Sequence, residues 1–386
     1  MAFNFKAAFR FTRRLISKIG DPSFGWTPRR AGLLLVLYLL YPLFEFLVWL
    51  NLLLDDLFFR GYRCVEVRSP VFVVGNFRSG TTFLHRLLAK DQERFTTMRM
   101  WEVLFAPSIL GRKLVKAIAV LDRWLGRLGA RQVATMEETW HEENVMHRVG
   151  LREPEEDDYL LLHIWSALTI GLSSGVLEEA HPYTYFDTVI SKTERDRIMG
   201  FYRRCLQRHV YAHPGRQYLA KNPALTPKLE SVYEWFPDAR VICLVRSPLE
   251  AVPSFVSMMQ FSWRVIGAPR ESRALRNYVV DMARHWYSYP LERLEGAPED
   301  GLIFVRYDDL VSDPAEAVAG IYERFGFEMS PAYAGVLQEE SEKARRYRSQ
   351  HKYSLEQTGL SREEILVTYQ DVFDRFGFDA GESESQ

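Results

Sequence analysis

The feature that most constrains this chain is the segment 71–88, in which a β-branched and aromatic run passes through a turn of small residues into an amphipathic stretch. The apolar run ends at Gly75. From Phe83 onward, apolar side chains recur with the spacing of an α-helix. This order predicts a buried strand, a tight loop and a helix, an arrangement that places the loop at the ligand-binding edge of a parallel α/β sheet.

The loop has the spacing Gly75-x4-Gly80-Thr81-Thr82, which differs from a Walker A phosphate-binding loop at one position. ATPases and kinases have Lys where this chain has Thr81, and the cation lies inside the loop instead, at Arg78. Backbone N–H groups at the helix N-terminus can still bind phosphate. Because the Lys that reaches the β- and γ-phosphates is absent, the loop predicts a nucleotide with a shorter anionic tail. A plain turn between a core strand and a core helix is the structural alternative.

The sequence from Asn76 to Thr82 resembles the 5′-phosphosulfate-binding loop of the sulfotransferases, whose sulfonate donor is 3′-phosphoadenosine 5′-phosphosulfate (PAPS). Its Arg form is most similar to the bacterial-type branch of that family, although Phe77 stands where the branch often has Pro. The resemblance implies an α/β fold, with a P-loop-like parallel sheet, helices on both faces and PAPS as co-substrate. It places these residues on the 5′ end of the donor: Arg78, Ser79, Gly80, Thr81 and Thr82.

A second motif follows the nearly all-apolar run 239–245, which predicts another buried parallel strand. The run ends in Arg246, and a helix is predicted to begin at Pro248. In sulfotransferases an Arg at this strand end and a Ser eight residues later bind the 3′-phosphate of the donor, and Arg246 and Ser254 match that spacing. A guanidinium presents a planar fork to phosphate. A surface salt bridge of Arg246 is the alternative.

Sulfonate transfer needs cations on the leaving 5′-phosphate and a base near the acceptor proton. Arg78 meets the first need. Lys221 resembles the family lysine that meets the transferring sulfonate at the end of another strand. Pro223 stands where the cytosolic branch has its catalytic His, so the base must come from elsewhere in this chain.

The acidic and His-rich stretch 135–156 supplies candidates for that base. Glu155 leads them, because Pro-Glu-Glu-Asp at 154–157 resembles a run in bacterial-type members. His141 and His147 are the alternatives. Acids after a Pro also stabilise the first turn of a helix without any catalytic duty, and this structural explanation stays open. In the wider family a C-terminal basic loop closes over the 3′-phosphate, and by resemblance of position His351 or Lys352 would do so here; a solvated charged surface is the alternative.

Composition limits the other possibilities. A net charge of −1 gives no electrostatic argument for nucleic-acid binding. The three cysteines have neither paired nor metal-ligand spacing, and no metal is implied, since Arg, Lys and backbone dipoles can meet the charge of the donor.

The acceptor is predicted to be a small, lipid-like alcohol, with an amine or a sugar hydroxyl as alternatives.

Two functions of other classes remain. A P-loop kinase-like transferase is disfavoured by Thr81 and by the strand 241–245, which is followed by Arg and not by the Asp of a Walker B motif. A non-catalytic, membrane-associated scaffold is the second.

The N-terminal region is basic over residues 1–30 and almost wholly apolar over 31–54, which is long enough to cross a bilayer. Pro42 and Glu45 interrupt the apolar stretch, so the prediction is a pair of helices, broken near Pro42, that lie on the cytoplasmic membrane face. Packing on the core of the enzyme and an oligomer interface are alternatives. A single crossing would place the catalytic domain in a Golgi-type lumen if the source is eukaryotic. The lack of an Asn-x-Ser/Thr sequon weakly opposes that arrangement.

The predicted organisation is a helical arm over 1–60, a sulfotransferase domain over 65–375 and a tail over 376–386. The predicted strands are 70–75, 218–221, 240–245 and 302–306, with an extended segment at 95–101. Residues 103–135 are predicted to be helical, and one helix is predicted over 157–172.

Overall fold

The computed structural model describes residues 2–21, 26–143, 150–265, 273–293, 301–346 and 355–379 of the chain. The strands are β1 (Val71–Gly75), β2 (Phe95–Thr96), β3 (Gln217–Lys221), β4 (Arg240–Val245) and β5 (Leu302–Arg306). The α-helices in the N-terminal half are α1 (Phe5–Ser17), α2 (Pro28–Phe58), α3 (Thr81–Leu88), α4 (Met100–Phe105), α5 (Ile109–Trp124), α6 (Leu128–Glu143), α7 (Leu168–Ser174), α8 (Leu177–Thr184) and α9 (Phe186–Val189). Those that follow are α10 (Lys192–Ala212), α11 (Leu229–Trp235), α12 (Pro248–Val265), α13 (Arg273–Arg293), α14 (Tyr307–Ser312), α15 (Pro314–Phe325), α16 (Pro331–Arg346), α17 (Leu355–Thr358), α18 (Arg362–Thr368) and α19 (Gln370–Phe376). Among the described residues, 3₁₀ helices span Arg60–Cys64, Asp157–Ile164 and Pro223–Lys228.

The five strands form one sheet in the order β2-β3-β1-β4-β5, and every neighbouring pair is parallel. Val73 in the central strand lies opposite Lys221 on one side and Ile242 on the other. The predicted α/β class with a parallel sheet is therefore confirmed.

The apolar composition of β1 follows from burial on both faces of the sheet. Alternate side chains point to opposite faces, so Phe72 and Val74 enter one core cluster while Val71 and Val73 enter another. Helices α3, α15 and α16 cover the second face, and α10 to α13 cover the first. The two layers fix the carboxyl ends of the strands relative to one another.

The prediction of a helix pair broken at Pro42 is wrong, because α2 runs as one 31-residue helix through Pro42. A proline removes one backbone hydrogen bond from a helix interior. Contacts on both sides of it hold the helix in place: the Tyr41 hydroxyl donates to the Leu162 carbonyl (2.7 Å), and Glu45 contacts His163 (2.9 Å). Among the described residues, α2 is the one helix long and apolar enough to cross a membrane, and 12% of its most apolar 18-residue stretch is buried.

One helical prediction holds in outline and another is wrong. The segment 103–135 contains parts of three helices, α4 to α6, separated at Ala106–Ser108 and Leu125–Arg127. The segment 157–172 is a 3₁₀ helix followed by α7 and not a single α-helix. Trp165 separates the two in the left-handed region at φ 53°.

Candidate active site

The carboxyl ends of four neighbouring strands meet at one edge of the sheet, where ligands of open α/β sheets bind. The phosphate loop follows β1, Lys221 ends β3, Arg246 follows β4 and Tyr307 follows β5. The loop, Arg246 and Tyr307 line a common cavity of about 640 Å³. The two motifs recognised in the sequence are therefore brought to one place.

The loop has a backbone that few residues other than glycine can adopt. Gly75 and Gly80 have φ values of 131° and 94°, and Arg78 itself is left-handed at φ 67°. A Cβ on Gly75 would overlap the Leu244 carbonyl oxygen, and one on Gly80 would lie 2.6 Å from the Tyr307 ring. Both glycines are thus required by the fold.

Hydrogen bonds hold this loop against the sheet. The Ser79 hydroxyl donates to the Asn76 carbonyl (2.7 Å), and the Gly75 N–H donates to Oγ1 of Thr226 (2.9 Å). The N–H groups of Phe83 and Leu84 are bonded to the Gly80 carbonyl. The N–H groups before them form the free start of helix α3, where an anion is stabilised.

The two arginines of the predicted donor site lie side by side. Nε of Arg78 donates to Oγ of Ser254 (2.9 Å), and Nη1 of Arg246 donates to the backbone carbonyl of Arg78 (3.1 Å). The Arg246 guanidinium lies 4.2 Å from the centre of the Tyr307 ring. It also forms an ion pair with Glu250 at 2.7 Å, so an incoming phosphate would compete with an exposed carboxylate for this guanidinium.

Lys221 is completely buried next to two carboxylates and a loop hydroxyl. Its Nζ lies 2.6 Å from Oε1 of Glu155 and 3.2 Å from Oε1 of Glu156, and it donates to Oγ1 of Thr82 (3.1 Å). Burial by itself would lower the pKa of Lys221, but Glu156 and Glu155 outweigh that effect and raise its pKa above the ordinary value. The ammonium is therefore kept charged beside the phosphate loop.

The two glutamates differ in their access to the cavity. Glu155 is 1% exposed, whereas the Glu156 side chain is 17% exposed and lines the cavity. Burial raises the pKa of Glu156, Lys221 lowers it, and Glu155 raises it again, with a net shift above the ordinary value. The sequence places both glutamates among the candidate bases and favours Glu155. The signal available was only that both acids stand in the same Pro-Glu-Glu-Asp run.

Asp157 and Asp158 of this region lie in the first turn of the 3₁₀ helix at 157–164, as the structural alternative expects, and both side chains are buried. Asp157 is buried and accepts hydrogen bonds from Tyr202 (2.5 Å), Tyr218 (2.8 Å) and Asn222 (2.7 Å). Burial raises the pKa of Asp157 to about 6, although these three donors act in the opposite direction. The run therefore fastens the 3₁₀ helix at 157–164 to β3 and to the residue after Lys221.

Away from the loop and the two arginines, the cavity is mostly apolar. Phe77 stacks on Phe255 at 4.6 Å between ring centroids, and the far wall contains Met100, Leu104, Leu151, Leu172, Met258 and Phe261. The sequence did not identify the residues of this wall. Tyr307 was also missed, although it directly follows the predicted strand 302–306, as Arg246 follows its own strand.

Other predicted candidates fall where the structure gives no side-chain position. His147, His351 and Lys352 lie outside the described residues, and the side chain of His141 does as well. Within the described part of the chain, no group of three or more His, Cys, Asp or Glu side chains is placed to hold a metal ion.

Known proteins are similar to this chain over the region that contains these site residues. The model of the sulfotransferase family matches residues 70–331. The omega-hydroxy-beta-dihydromenaquinone-9 sulfotransferase Stf3 of Mycobacterium bovis is 25% identical over 331 residues, which are 83% of this chain and 78% of that protein. The protein of the same name from Mycobacterium tuberculosis matches to the same extent.

Solved structures share the fold. Sulfotransferase STF9 from Mycobacterium avium superposes with a TM-score of 0.66 at 17% identity, covering 85% of this chain and 82% of its own. Sulfotransferase STF1 from Mycobacterium tuberculosis gives 0.63 at 21% identity, covering 83% and 81%. At these identities the likeness establishes the fold alone.

Proposed function

The chain belongs to the sulfotransferase family and is a sulfotransferase, and from that premise we propose that it transfers the sulfonate group of PAPS to a hydroxyl of a lipid-like alcohol. The observation that carries the donor is the proximity of two anion-binding groups in one cavity. Arg246 donates to the backbone of Arg78, and both arginines line the cavity that the start of α3 enters. A nucleotide with phosphates at its 3′ and 5′ positions fits two such groups better than a triphosphate does.

Each loop element has a role in this proposal. The backbone N–H groups at 80–82, the Thr81 and Thr82 hydroxyls, and Arg78 bind the 5′-phosphosulfate. Arg246 binds the 3′-phosphate after its guanidinium leaves Glu250. Ser254 serves both phosphate sites. It belongs to the 3′-phosphate motif with Arg246, and its Oγ also holds Arg78 of the 5′ site by accepting a hydrogen bond from Nε. Ser79 is buried and supports the turn.

The chemistry proposed is an in-line displacement at sulfur. The acceptor oxygen forms the new S–O bond while the S–O bond to the 5′-phosphate breaks, and the hydroxyl proton passes to a carboxylate. Negative charge develops on the leaving phosphate oxygen, where Lys221 and Arg78 stabilise it. Lys221 suits this task because its pKa is held high in a buried site.

Glu156 is the carboxylate best placed to accept the proton. It lines the cavity, and its raised pKa brings a carboxylate closer to the basicity that proton transfer needs. Glu155, the residue that the sequence favours, binds Lys221 from the buried side. It remains an essential acid of the site in this proposal, with the role of positioning Lys221.

The apolar wall of the cavity supports a hydrophobic acceptor. Met100, Leu104 and Leu172 give an alkyl or isoprenoid chain a surface that a sugar would not favour. The Stf3 proteins are named for ω-hydroxy-β-dihydromenaquinone-9, a lipid alcohol, and a 25% identical chain supports the same chemical class here and not the same molecule.

The test has two parts. Titration calorimetry with adenosine 3′,5′-bisphosphate and with ATP measures the donor preference, and [³⁵S]PAPS with a lipid extract measures transfer. We expect Arg78→Ala to weaken bisphosphate binding by about tenfold to a hundredfold, since a charge-assisted contact contributes about 1.5–3 kcal/mol. Arg375→Ala changes an exposed arginine of α19 and serves as the matched control. Equal binding by the parent and the Arg78→Ala protein, or a preference for ATP, would contradict the donor site.

A further inference from the structure

We propose that α1, α2 and α5 form a membrane-docking face that lies in the plane of an anionic bilayer and does not cross it. Helix α2 supplies most of this face. Its exposed large apolar side chains include Leu35, Leu39, Leu43, Phe46, Leu53 and Phe58. Patches of this extent are unusual on a soluble monomer and mark an interaction surface.

Polar contacts fasten α2 to the body of the protein from its first turn to its last. Nη2 of Arg30 donates to the Ser174 carbonyl (2.6 Å), and the Trp49 indole donates to the His163 carbonyl (3.0 Å). Near the end of the helix, Asp55 accepts from the N–H of Ile109 (2.6 Å) and from Arg208 (3.1 Å). In the middle of the helix, between Arg30 and Asp55, Glu45 contacts His163.

These contacts decide between lying on a bilayer and crossing one. A crossing helix would have to leave the body, which would remove Arg30 and Asp55 from their partners near its ends and carry Glu45 into hydrocarbon without His163. An ionisable side chain in a bilayer centre is costly unless it is paired. With the contacts kept, one side of α2 packs on the protein and the other side is exposed along its whole length.

Helix α1 has the pattern of an interfacial helix. Ala7, Phe11 and Leu15 are buried against the body. On another side of the helix, Phe5, Phe9 and Ile16 are exposed, at spacings that place them together. The exposed basic residues Lys6 and Arg13 lie beside that apolar strip at helical spacing. An apolar strip bordered by cations matches the boundary between acyl chains and anionic headgroups.

Helix α5 extends the face from the end of α2. Its first N–H groups are bound by Asp55, and the Lys113 ammonium lies 4.5 Å from the centre of the Phe59 ring. Leu114, Ile118 and Leu121 are exposed at helical spacing, and Trp124 is 85% exposed. Exposed Trp beside cationic residues is typical of proteins that insert into the headgroup region.

The face adjoins the apolar end of the cavity. Leu172 and Ser173 line the cavity and directly precede Ser174, whose carbonyl binds Arg30. Phe44 of α2 contacts Phe105, the neighbour of the cavity residue Leu104. A bilayer on this face would thus lie next to the wall that takes a hydrophobic acceptor. Docking itself does not depend on what the acceptor is.

Vesicle flotation tests the face with the full-length protein. We expect it to float with phosphatidylglycerol vesicles and only weakly with phosphatidylcholine vesicles. The variant Leu39→Gln/Leu43→Gln/Leu53→Gln removes exposed side chains and should lower the bound fraction by about tenfold or more. Val189→Gln/Val367→Gln changes apolar side chains of similar exposure on α9 and α18 and should float like the parent. A parent protein that does not float, or that forms a soluble dimer through this face instead, overturns the proposal, as does unchanged flotation of the α2 variant.

Cysteine labelling distinguishes lying from crossing. Cys64, just beyond α2, is exposed, whereas Cys205 and Cys243 are buried and should not react. Arg29→Cys in a Cys64→Ser background reports on the exposed start of the same helix. With a membrane-impermeant maleimide on sealed, oriented vesicles from expressing cells, a helix in the plane labels at both positions from the same side. Labelling of the two positions from opposite sides would show a crossing and overturn the proposal.

Discussion

Glu156 and Glu155 illustrate how two adjacent identical side chains acquire different chemistry. Both carboxylates contact Lys221, yet only Glu156 lines the cavity. If Glu156 accepts the acceptor proton, it must be ionised, so kcat/KM should fall as the pH drops through its raised pKa, above the ordinary value of 4.5. Glu156→Gln should lower kcat by about 10²–10⁴-fold and remove this acidic limb.

Glu155→Gln is the matched variant for that experiment. Removing the neighbouring negative charge lowers the pKa of Glu156, so the acidic limb should shift to lower pH without disappearing. A pH–rate profile of both variants separates the proton acceptor from the residue that positions Lys221. If Glu155→Gln abolishes the limb and Glu156→Gln keeps it, the two roles are reversed.

A second prediction for a single residue concerns the substitution of Gly80. Gly80→Ala places a Cβ 2.6 Å from the Tyr307 ring at φ 94°, so both strain and overlap act. Gly326 has a similar φ of 65° with nothing within 4 Å of the added atom. Gly326→Ala should therefore cost only the left-handed strain, about 1–2 kcal/mol. Gly80→Ala should cost more and also weaken bisphosphate binding, as thermal melts and calorimetry would reveal. Equal losses of stability in the two variants would contradict the overlap with Tyr307.

The sequence predicts the backbone part of the site better than its side-chain contacts. The position of the loop follows from strand, glycine spacing and helix, all of which are local. The contact of Arg78 with Ser254 joins residues 176 positions apart, so no local pattern encodes it. Which of Glu155 and Glu156 faces the cavity depends on the direction in which each side chain leaves an irregular segment of backbone. Tertiary packing sets that direction.

At the level of elements, apolar runs identify the strands because burial on both faces demands them. All four predicted strands are present, and the extended segment at 95–101 contains the short strand β2. Helix continuity was harder to predict. Pro42 suggested a break in α2. Tyr41 and Glu45, on either side of this proline, bind residues of the 3₁₀ helix at 157–164, and no local sequence signal shows those contacts.

The attachment of α2 to α10 can be tested directly. Arg208 is 4% exposed and contacts Asp55 (3.1 Å) and Asp56 (2.9 Å). Arg208→Met leaves the buried Asp55 carboxylate without its cation, which should lower the free energy of unfolding by about 3–5 kcal/mol. Arg204→Met, one turn earlier on the same helix and exposed, should change it by about 0.5 kcal/mol or less. Denaturant unfolding of the two variants measures the difference, and similar midpoints would contradict a structural role for this ion pair.

For the whole molecule, the predicted division into an arm over 1–60 and a domain over 65–375 can be judged by packing. Val48 and Leu52 of α2 belong to the main core cluster, together with residues of the sheet and of α10. The arm also supplies the partner of His163. From this packing we expect the arm and the domain to unfold as one unit, although the family match begins only at residue 70.

Deletion of residues 1–58 tests this directly. It would expose the surface that Val48 and Leu52 cover and would leave buried Arg208 and His163 without their carboxylate partners. Each lost large apolar contact costs about 1.5–3 kcal/mol and each buried group left unpaired about as much again, which together approach the total stability of an average domain. We therefore expect the truncated chain to be insoluble or to melt without a cooperative transition. Deletion of residues 380–386, at the other end, is the control and should leave the melting temperature unchanged. A truncated protein that melts cooperatively near the parent temperature and still binds adenosine 3′,5′-bisphosphate would show that the arm is a separate unit after all.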